Sequence, residues 1–425
     1  MLDIKFIREN PDAARAGVEK KREPGVADRV TKVLEIDAYR RELIQRVELL
    51  KARRNAVSDE IGAIKRQKGD ATGLMEQMKS VSDEIKTLDD SLRTVDAQLD
   101  DAVLWLPNIP DDSVPIGASA EENIVVHLHG DTTGKDFPLK DHLELGKRLG
   151  LFDFERGAKI AGSGFPVYTG KGATLERALI NFMLDQHITQ NGYTEIFPPM
   201  VVNEASLRGT AQLPKSREDM YKCEEEDLFL IPTAEVPVTN LHRDEVLKLE
   251  QLPIKYTAYS ACFRREAGSY GKETKGFLRV HEFNKVELVK FAAPETSWEE
   301  HESLTRNAEV ILEMLGIPYR RLLLCTGDTS FASAKTYDLE AWAPAEQKWL
   351  EVSSCSNFLD FQSRRANIKF KRDPKSKPEF VHTLNGSGLA TSRVMAALLE
   401  NYQTPDGTVL VPKVLHKYTG FTVLS

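Results

Sequence analysis

Tyr256-Thr257-Ala258-Tyr259-Ser260-Ala261-Cys262 runs directly into Phe263-Arg264-Arg265-Glu266, and after a Gly/Ser/Lys loop the chain resumes as Arg279-Val280-His281-Glu282-Phe283 and continues to Glu287. The first segment is apolar and β-rich, and the last reads as a second strand, so the pair predicts an antiparallel hairpin. It carries charge where a core strand would not. An arginine fixed on a strand holds its planar fork rigidly and can clamp a phosphate at two points, which a flexible lysine on a loop cannot. With both strands in one sheet, Arg264 and Arg279 can grip one polyphosphate while the ring of Phe283 offers its face to a base. The hairpin therefore predicts a nucleotide site.

Outward from the hairpin, a helical stretch from Ala173 to Gln190 precedes Gly192-Tyr193-Thr194-Glu195-Ile196-Phe197-Pro198-Pro199-Met200-Val201-Val202, a strand interrupted by prolines. Proline there implies an edge or an interface. Further strands are expected at 228–231, 319–325, 336–342 and 349–355, with the hairpin strands at 256–264 and 279–288, and helices near 297–315 and 388–401. Together these give a mostly antiparallel sheet flanked by helices, an α+β class. Gly164-Phe165-Pro166-Val167-Tyr168-Thr169-Gly170-Lys171-Gly172 has five residues between its first two flanking glycines and no Ser/Thr after the lysine, so it is not a Walker loop. No Gly-x-Gly-x-x-Gly follows a strand, which also excludes the Rossmann route.

The first hundred residues have a different grammar. From Val33 the apolar positions Ile36, Leu43, Val47, Leu50, Val57, Ile61 and Ile64 keep a 3,4 spacing once Arg40 and Arg54 fill two seam positions. After Lys68-Gly69-Asp70-Ala71-Thr72-Gly73 the spacing resumes through Met78, Val81, Ile85, Leu88, Leu92, Val95 and Leu99. Two heptad helices joined by a turn predict an antiparallel coiled coil over about residues 27–102. Residues 26–68 hold 11 Lys/Arg against 7 Asp/Glu, and residues 74–101 hold 3 against 8. Such asymmetry can simply pair the two helices. It can also present Arg40, Arg53, Arg54, Lys65 and Arg66 to a phosphate backbone, the reading favoured for an arm with no core to support. The prolines of Leu104-Trp105-Leu106-Pro107-Asn108-Ile109-Pro110 end the second helix, giving expected domains of 1–110 and 111–425.

At 425 residues the chain is too long for one ordinary core. A formal net charge of −8 argues against bulk coating of nucleic acid, so a polyanionic partner must be met by a local basic face. No apolar run approaches a membrane span, and no membrane partner is expected; the cytosol is the expected location. Cys223, Cys262, Cys325 and Cys355 form no Cys-x-x-Cys pair, so buried thiols are expected and structural zinc is not.

Three segments stand in order: Gly192 to Pro199 after a helix, the charged hairpin, and Asn385-Gly386-Ser387-Gly388-Leu389-Ala390-Thr391-Ser392-Arg393 opening an apolar helix. They resemble motifs 1, 2 and 3 of the class II aminoacyl-tRNA synthetases. With the coiled coil, Thr233-Ala234-Glu235 and Glu351-Val352-Ser353-Ser354-Cys355-Ser356-Asn357, the chain resembles the bacterial-type seryl-tRNA synthetases end to end. The resemblance implies activation of L-serine with ATP to seryl-adenylate, followed by transfer to the 3′ end of tRNA(Ser) and, by the same resemblance, tRNA(Sec). It implies that Arg264 holds the α-phosphate, that Arg393 grips the γ-phosphate, and that Phe283 stacks on adenine, although a strand Phe read alone is more often core. Arg265, Glu266, Arg279, Val352 and Ser353 complete the ATP set, and Glu351 and Ser354 offer hard oxygens to Mg²⁺. Thr233, Ala234, Glu235, Arg264, Glu287, Asn385 and Ser387 form the implied serine site, and Pro199 the implied homodimer interface.

His281 is a tempting base, but packing or hydrogen bonding is the favoured reading. Four departures from the family pattern stand out: Ser392 and Ala211 where glycine is usual, Ser216 where phenylalanine is usual, and Asp328-Thr329-Ser330 in place of a glycine-containing version. Nothing indicates the zinc-dependent serine site of the archaeal variant. Two other activities compete: a synthetase-like ligase that charges a carrier protein, and a coiled-coil RNA-binding protein with a decayed catalytic core. Carrier ligases lack the long arm, and a decayed core would have lost Arg264, Glu287 or Arg393.

Overall fold

The computed structural model describes residues 1–267 and 276–425. The loop expected within 268–275 lies outside the described residues. The chain divides into two compact units: Leu2–Glu19 with Glu23–Pro107, and Met1, Lys20–Arg22 and Asn108–Ser425.

The first unit is helical: α1 (Ile4–Glu9), α2 (Pro11–Glu19), α3 (Val26–Arg66) and α4 (Thr72–Leu104). At 41 residues, α3 is about 60 Å long. The 3,4 spacing does its work at Leu43, Val47, Leu88 and Val95, which are buried between α3 and α4 with Ile36, Leu50 and Leu92 against them. Arg40, on the seam, reaches Asp96 at 2.5 Å. Lys68 takes a left-handed φ of 54° in the turn, and Asp70 accepts from Thr72 N at 2.9 Å. Gly73, expected in that turn, is already inside α4. At the other end, buried Asp37 accepts from Arg8 Nε and Nη2, both at 2.8 Å, and from Arg41 Nε at 3.1 Å, fixing α1 to α3.

The second unit is built on an eight-stranded sheet of β1 (Ile124–His129), β2 (Thr194–Glu195), β3 (Ile254–Phe263), β4 (Glu282–Ala292), β5 (Tyr319–Leu323), β6 (Lys335–Ala343), β7 (Lys348–Asn357) and β8 (His382–Ala390). Their order is β1-β5-β6-β7-β8-β4-β3-β2. Every pairing is antiparallel except that of β2 with β3. Helices α5 (Gly170–Thr189), α6 (Ser297–Leu315) and α7 (Thr391–Tyr402) bury Leu175, Met183, Leu304, Ile311, Val394 and Leu398 against one face. Alternation along β4 then sorts its side chains: Val286 and Leu288 join that core, while Val289 and Phe291 join a second core with Ala234, Val238 and Phe370. Phe283, Lys285 and Glu287 share the second parity, so they line up on the face away from the helices.

Three expected boundaries around the site need correction. The second hairpin strand starts at Glu282, not Arg279, so Arg279 and His281 precede it, and Arg264 lies one residue beyond β3. The helix expected from Gly388 starts at Thr391, because residues 386–390 complete β8. The glycines there serve the core. A Cβ on Gly388 would come within 2.6 Å of His187 Nε2, and one on Gly386 within 2.4 Å of Leu304 Cδ2. Cys262, Cys325 and Cys355 are buried free thiols, and Cys223 is half-buried. Among the described residues, no helix is long and apolar enough to cross a membrane.

Candidate active site

A cavity of about 390 Å³ opens over the sheet face that carries Phe283 and Lys285, walled by residues 210–212, Ser216, 277–280 and 330–332. Of the residues singled out from sequence, Thr233, Glu235, Arg264, Glu266, Arg279, Phe283, Glu351, Val352, Ser353, Ser354, Asn385, Ser387 and Arg393 line it. Glu287 lies just behind the lining, at 1 % exposure. Arg265 is exposed, and its amide donates to Asp219 O at 2.9 Å. Ala234 is packed in the second core. Pro199 is exposed, beyond the edge strand β2.

At the cavity floor, polar groups are locked to one another. Glu287 pairs with Lys285, accepts from Thr233 Oγ1 at 2.8 Å and accepts from Asn385 Nδ2 at 3.2 Å. Lys285 Nζ also donates to Thr233 Oγ1 at 2.8 Å. Antiparallel register sets Ser387 opposite Glu287, so strand pairing delivers both to one place. Glu235 accepts from Gln362 Nε2 at 2.6 Å. Burial first, then the neighbouring Glu287 charge, push its carboxyl up to about 7. This floor matches a small zwitterion with a hydroxyl: carboxylates answer an ammonium, and Thr233, Asn385 and Ser387 offer hydrogen bonds.

Arginines stand above it. The Arg264 guanidinium sits 5.1 Å over the Phe283 ring, with Nε donating to Pro232 O at 3.4 Å. Glu266, a natural ion-pair partner for Arg264 in sequence, pairs instead with Arg279. Arg393 donates through Nε to Leu278 O at 3.1 Å and through Nη1 to Glu351 O at 2.9 Å, and lies 3.6 Å from the Glu351 carboxylate.

Glu351 and Ser354 are an odd number of residues apart, which on a regular strand sends them to opposite faces. The register shift between Leu339 and Glu340 skips Val352, so Glu351 pairs with Glu340 and Ser354 with Asp338, all on one face. Asp338 accepts a hydrogen bond from Ser354, and burial followed by the Glu351 charge raises its carboxyl well above the usual range. Its Oδ1 has no partner among the described residues. Clustered hard oxygens with surplus negative charge fit a small divalent cation.

His281 Nδ1 lies 2.9 Å from Arg264 O, and its ring stacks on Phe165 at 5.6 Å, a packing and hydrogen-bonding environment. Ala211 has a φ of 65°, the left-handed conformation that explains a preference for glycine there. Ser330, in the departing Asp328-Thr329-Ser330 segment, accepts at its carbonyl from buried Lys21 Nζ at 2.7 Å, and Thr329 Oγ1 accepts from the same amine at 2.7 Å.

Lys285, Gln362, Asp338 and Lys21 escaped the sequence reading. Lys285 was within reach, since Phe283, Lys285 and Glu287 share one strand parity. The others depend on partners brought together only by the fold.

Residues 1–110 match the model of the seryl-tRNA synthetase N-terminal domain, and residues 221–402 match that of the tRNA synthetase class II core domain (G, H, P, S and T). Serine--tRNA ligase of Chloroherpeton thalassium is 58 % identical over 426 residues, covering 100 % of both chains. The chain belongs to the seryl-tRNA synthetase family. The Chlorobium phaeobacteroides (strain BS1) serine--tRNA ligase, also covered in full, is 57 % identical. Among solved structures, seryl-tRNA synthetase from Pyrococcus horikoshii complexed with ATP superposes with a TM-score of 0.95 at 39 % identity, covering 100 % of this chain and 99 % of that one. Cytoplasmic serine-tRNA ligase from Naegleria fowleri in complex with AMP gives 0.89 at 30 %, with the same coverage. Family membership makes the chain a class II, ATP-using aminoacyl-tRNA ligase. Neither the carrier-protein ligase nor the decayed RNA-binding protein finds support.

Proposed function

We propose that the cavity over β4 and β8 carries out serine activation and transfer with the residue roles that follow. The observation that carries this reading is the joined constellation at the floor, Lys285–Glu287–Thr233–Asn385, set beside two arginines that reach the same cavity. Serine's ammonium is taken by Glu235 and Glu287, and its hydroxyl by Thr233, Asn385 and Ser387. A buried site built to hydrogen-bond a hydroxyl rejects the analogue lacking it by about 10⁴. Alanine and glycine are thus excluded by chemistry, and threonine by size.

Phe283 supports the adenine, and Arg279 with Glu266 borders the nucleotide. The serine carboxylate attacks the α-phosphorus, the bond to the bridging oxygen breaks, and pyrophosphate leaves. Arg264 faces the charge that builds on the α-phosphate, and Arg393 holds the γ-phosphate end of the departing pyrophosphate, fixed donors that need no reorganisation during reaction. Glu351 and Ser354 are the residues that would hold Mg²⁺, which when bound neutralises phosphate oxygens. In the second step the 3′-hydroxyl of the tRNA terminal ribose attacks the mixed anhydride and AMP leaves. The anhydride is already activated, so positioning does most of the work.

The unit containing α3 and α4 serves tRNA(Ser), and by family resemblance tRNA(Sec), through Arg53, Arg54, Lys65 and Arg66. Domains of 1–110 and 111–425, a homodimer with Pro199 at its interface, and a cytoplasmic location complete the reading. The deciding experiment is ATP–pyrophosphate exchange with each amino acid in turn. Serine should support the fastest exchange; best exchange with alanine or glycine, or none with any, refutes the assignment.

A further inference from the structure

Glu176 lies on α5, has no role in the scheme above, and is 5 % exposed. It ties together segments far apart in sequence. Its Oε1 accepts from Asn284 Nδ2 at 2.8 Å and is hydrogen-bonded to Thr391 Oγ1. Asn284 follows Phe283 on β4, and Thr391 opens α7, with Arg393 two residues further on. Tyr259 OH, on β3, donates to Asn284 Oδ1 at 2.9 Å. Ala390, at the cap position of α7, supplies no side-chain cap, so the Thr391 hydroxyl anchors the first turn of the helix.

The proton count at that hydroxyl is informative. Thr391 Oγ1 donates to Asn284 O at 3.0 Å while also contacting Glu176 Oε1, yet a hydroxyl has one proton to give. Both contacts are hydrogen bonds when the Glu176 carboxyl carries its own proton and donates to Thr391, which donates onward to Asn284 O. Burial pushes that carboxyl up to about 7, the same direction. Glu176 Oε2 and the Tyr168 hydroxyl, both buried and without a partner among the described residues, border a separate cavity behind this junction.

We propose that Glu176 is a positioning residue for ATP, acting through Thr391 and Asn284 to fix the first turn of α7 against β4 and so set Arg393 relative to Phe283. This rests on the ATP roles assigned above to Arg393 and Phe283. A misplacement of about 1 Å in such an arrangement can cost on the order of a hundredfold, so a local defect should show in ATP kinetics before it shows in serine binding.

Pyrophosphate exchange with ATP and serine varied separately tests this on Glu176→Ala, Glu176→Gln, Thr391→Val and Arg393→Ala, with thermal denaturation alongside. Glu176→Ala and Thr391→Val should each raise KM for ATP about tenfold or more and leave KM for serine within about twofold. Glu176→Gln keeps an acceptor for Asn284 and should stay within about threefold of the parent. The Glu176→Ala/Thr391→Val double variant should be no worse than the worse single, as residues acting as one unit are. The proposal is overturned if neither variant moves KM for ATP, or if both Michaelis constants rise together in step with lost Tm, as a general structural role predicts. Should Glu176→Ala fail to fold, Thr391→Val, close to isosteric, decides alone. Arg393→Ala separates the two levels. No effect on KM for ATP removes the assignment of Arg393; a large effect there with none from Glu176→Ala and Thr391→Val removes only the positioning role.

Discussion

Between α3 and α4, Arg46 meets Glu84 at 2.5 Å and Lys51 meets Asp89 at 3.2 Å, with all four side chains at least a third exposed. On β4, Lys285 meets Glu287 with side chains 7 % and 0 % exposed. The two regions use the same chemistry in different media. In water, Coulomb attraction at 4 Å is about 1 kcal/mol and is largely spent on ordering two long side chains. Inside the fold, each charge has lost its hydration and depends on its partner, so removing one strands the other. The coiled pair therefore has charges it can lose or lend to another molecule, while the cavity floor has charges it cannot spare until a ligand replaces them.

Glu287→Ala should bring out this contrast most strongly. It leaves Lys285 buried with only Thr233 Oγ1 to donate to among the described residues, and we expect a loss of about 3–5 kcal/mol of stability, the scale for breaking a buried pair. Serine-dependent exchange should disappear with it. Denaturant unfolding of the variant measures the first, and a loss below about 1 kcal/mol would mean that the floor behaves like the surface.

How much of this contrast is legible in the sequence depends on the distance over which each pattern is written. A heptad is local: Leu43 and Val47 announce their face within one helix, and Leu88 and Val95 within the next. The hairpin is nearly as local, and Arg264, Phe283 and Glu287 were read from it. Its strand start is not legible, because Arg279 and His281 fit the alternation yet are held by Glu266 and by Phe165 with Arg264 O. Gly386 and Gly388 make room for Leu304, Cys355 and His187, close approaches that no local pattern announces. The common face of Glu351 and Ser354 depends on a bulge that strand spacing cannot announce. Gln362 meets Glu235 from 127 residues away, and no periodicity encodes such a meeting.

A middle-sized effect separates the regions by pH. Glu235 has a folded value of about 7 against an ordinary 4.5, so between those values the folded state holds a proton that the unfolded state has released. Its contribution to stability is full below about 4.5 and is lost as pH rises toward 7. Serine binding runs the other way, because the ammonium prefers the ionised carboxylate. KM for serine should fall about tenfold between pH 6 and pH 8, and Glu235→Gln should abolish that dependence while also removing the stability slope. A KM for serine that is flat across this range in the parent would show that Glu235 stays ionised in the free site.

The smallest effect is expected from Arg46→Ala, and its smallness is the point. Arg46 and Glu84 are 61 % and 41 % exposed, so the change should cost no more than about 0.5 kcal/mol. By contrast, Arg53, Arg54 and Lys65 have no ion pair among the described residues, while Arg40 is engaged by Asp96. The basic excess of α3 thus divides into charges already answered by α4 and charges still available to a polyanion. Replacing Arg53 and Lys65 with alanine should leave stability and pyrophosphate exchange unchanged but raise KM for tRNA, flattening its dependence on log salt by roughly one unit per charge removed. Arg46→Ala should do neither. If instead Arg46→Ala weakened tRNA charging as much as the Arg53 and Lys65 changes, the division between paired and available charges would fail, and the basic excess would act only as a diffuse field along the helix.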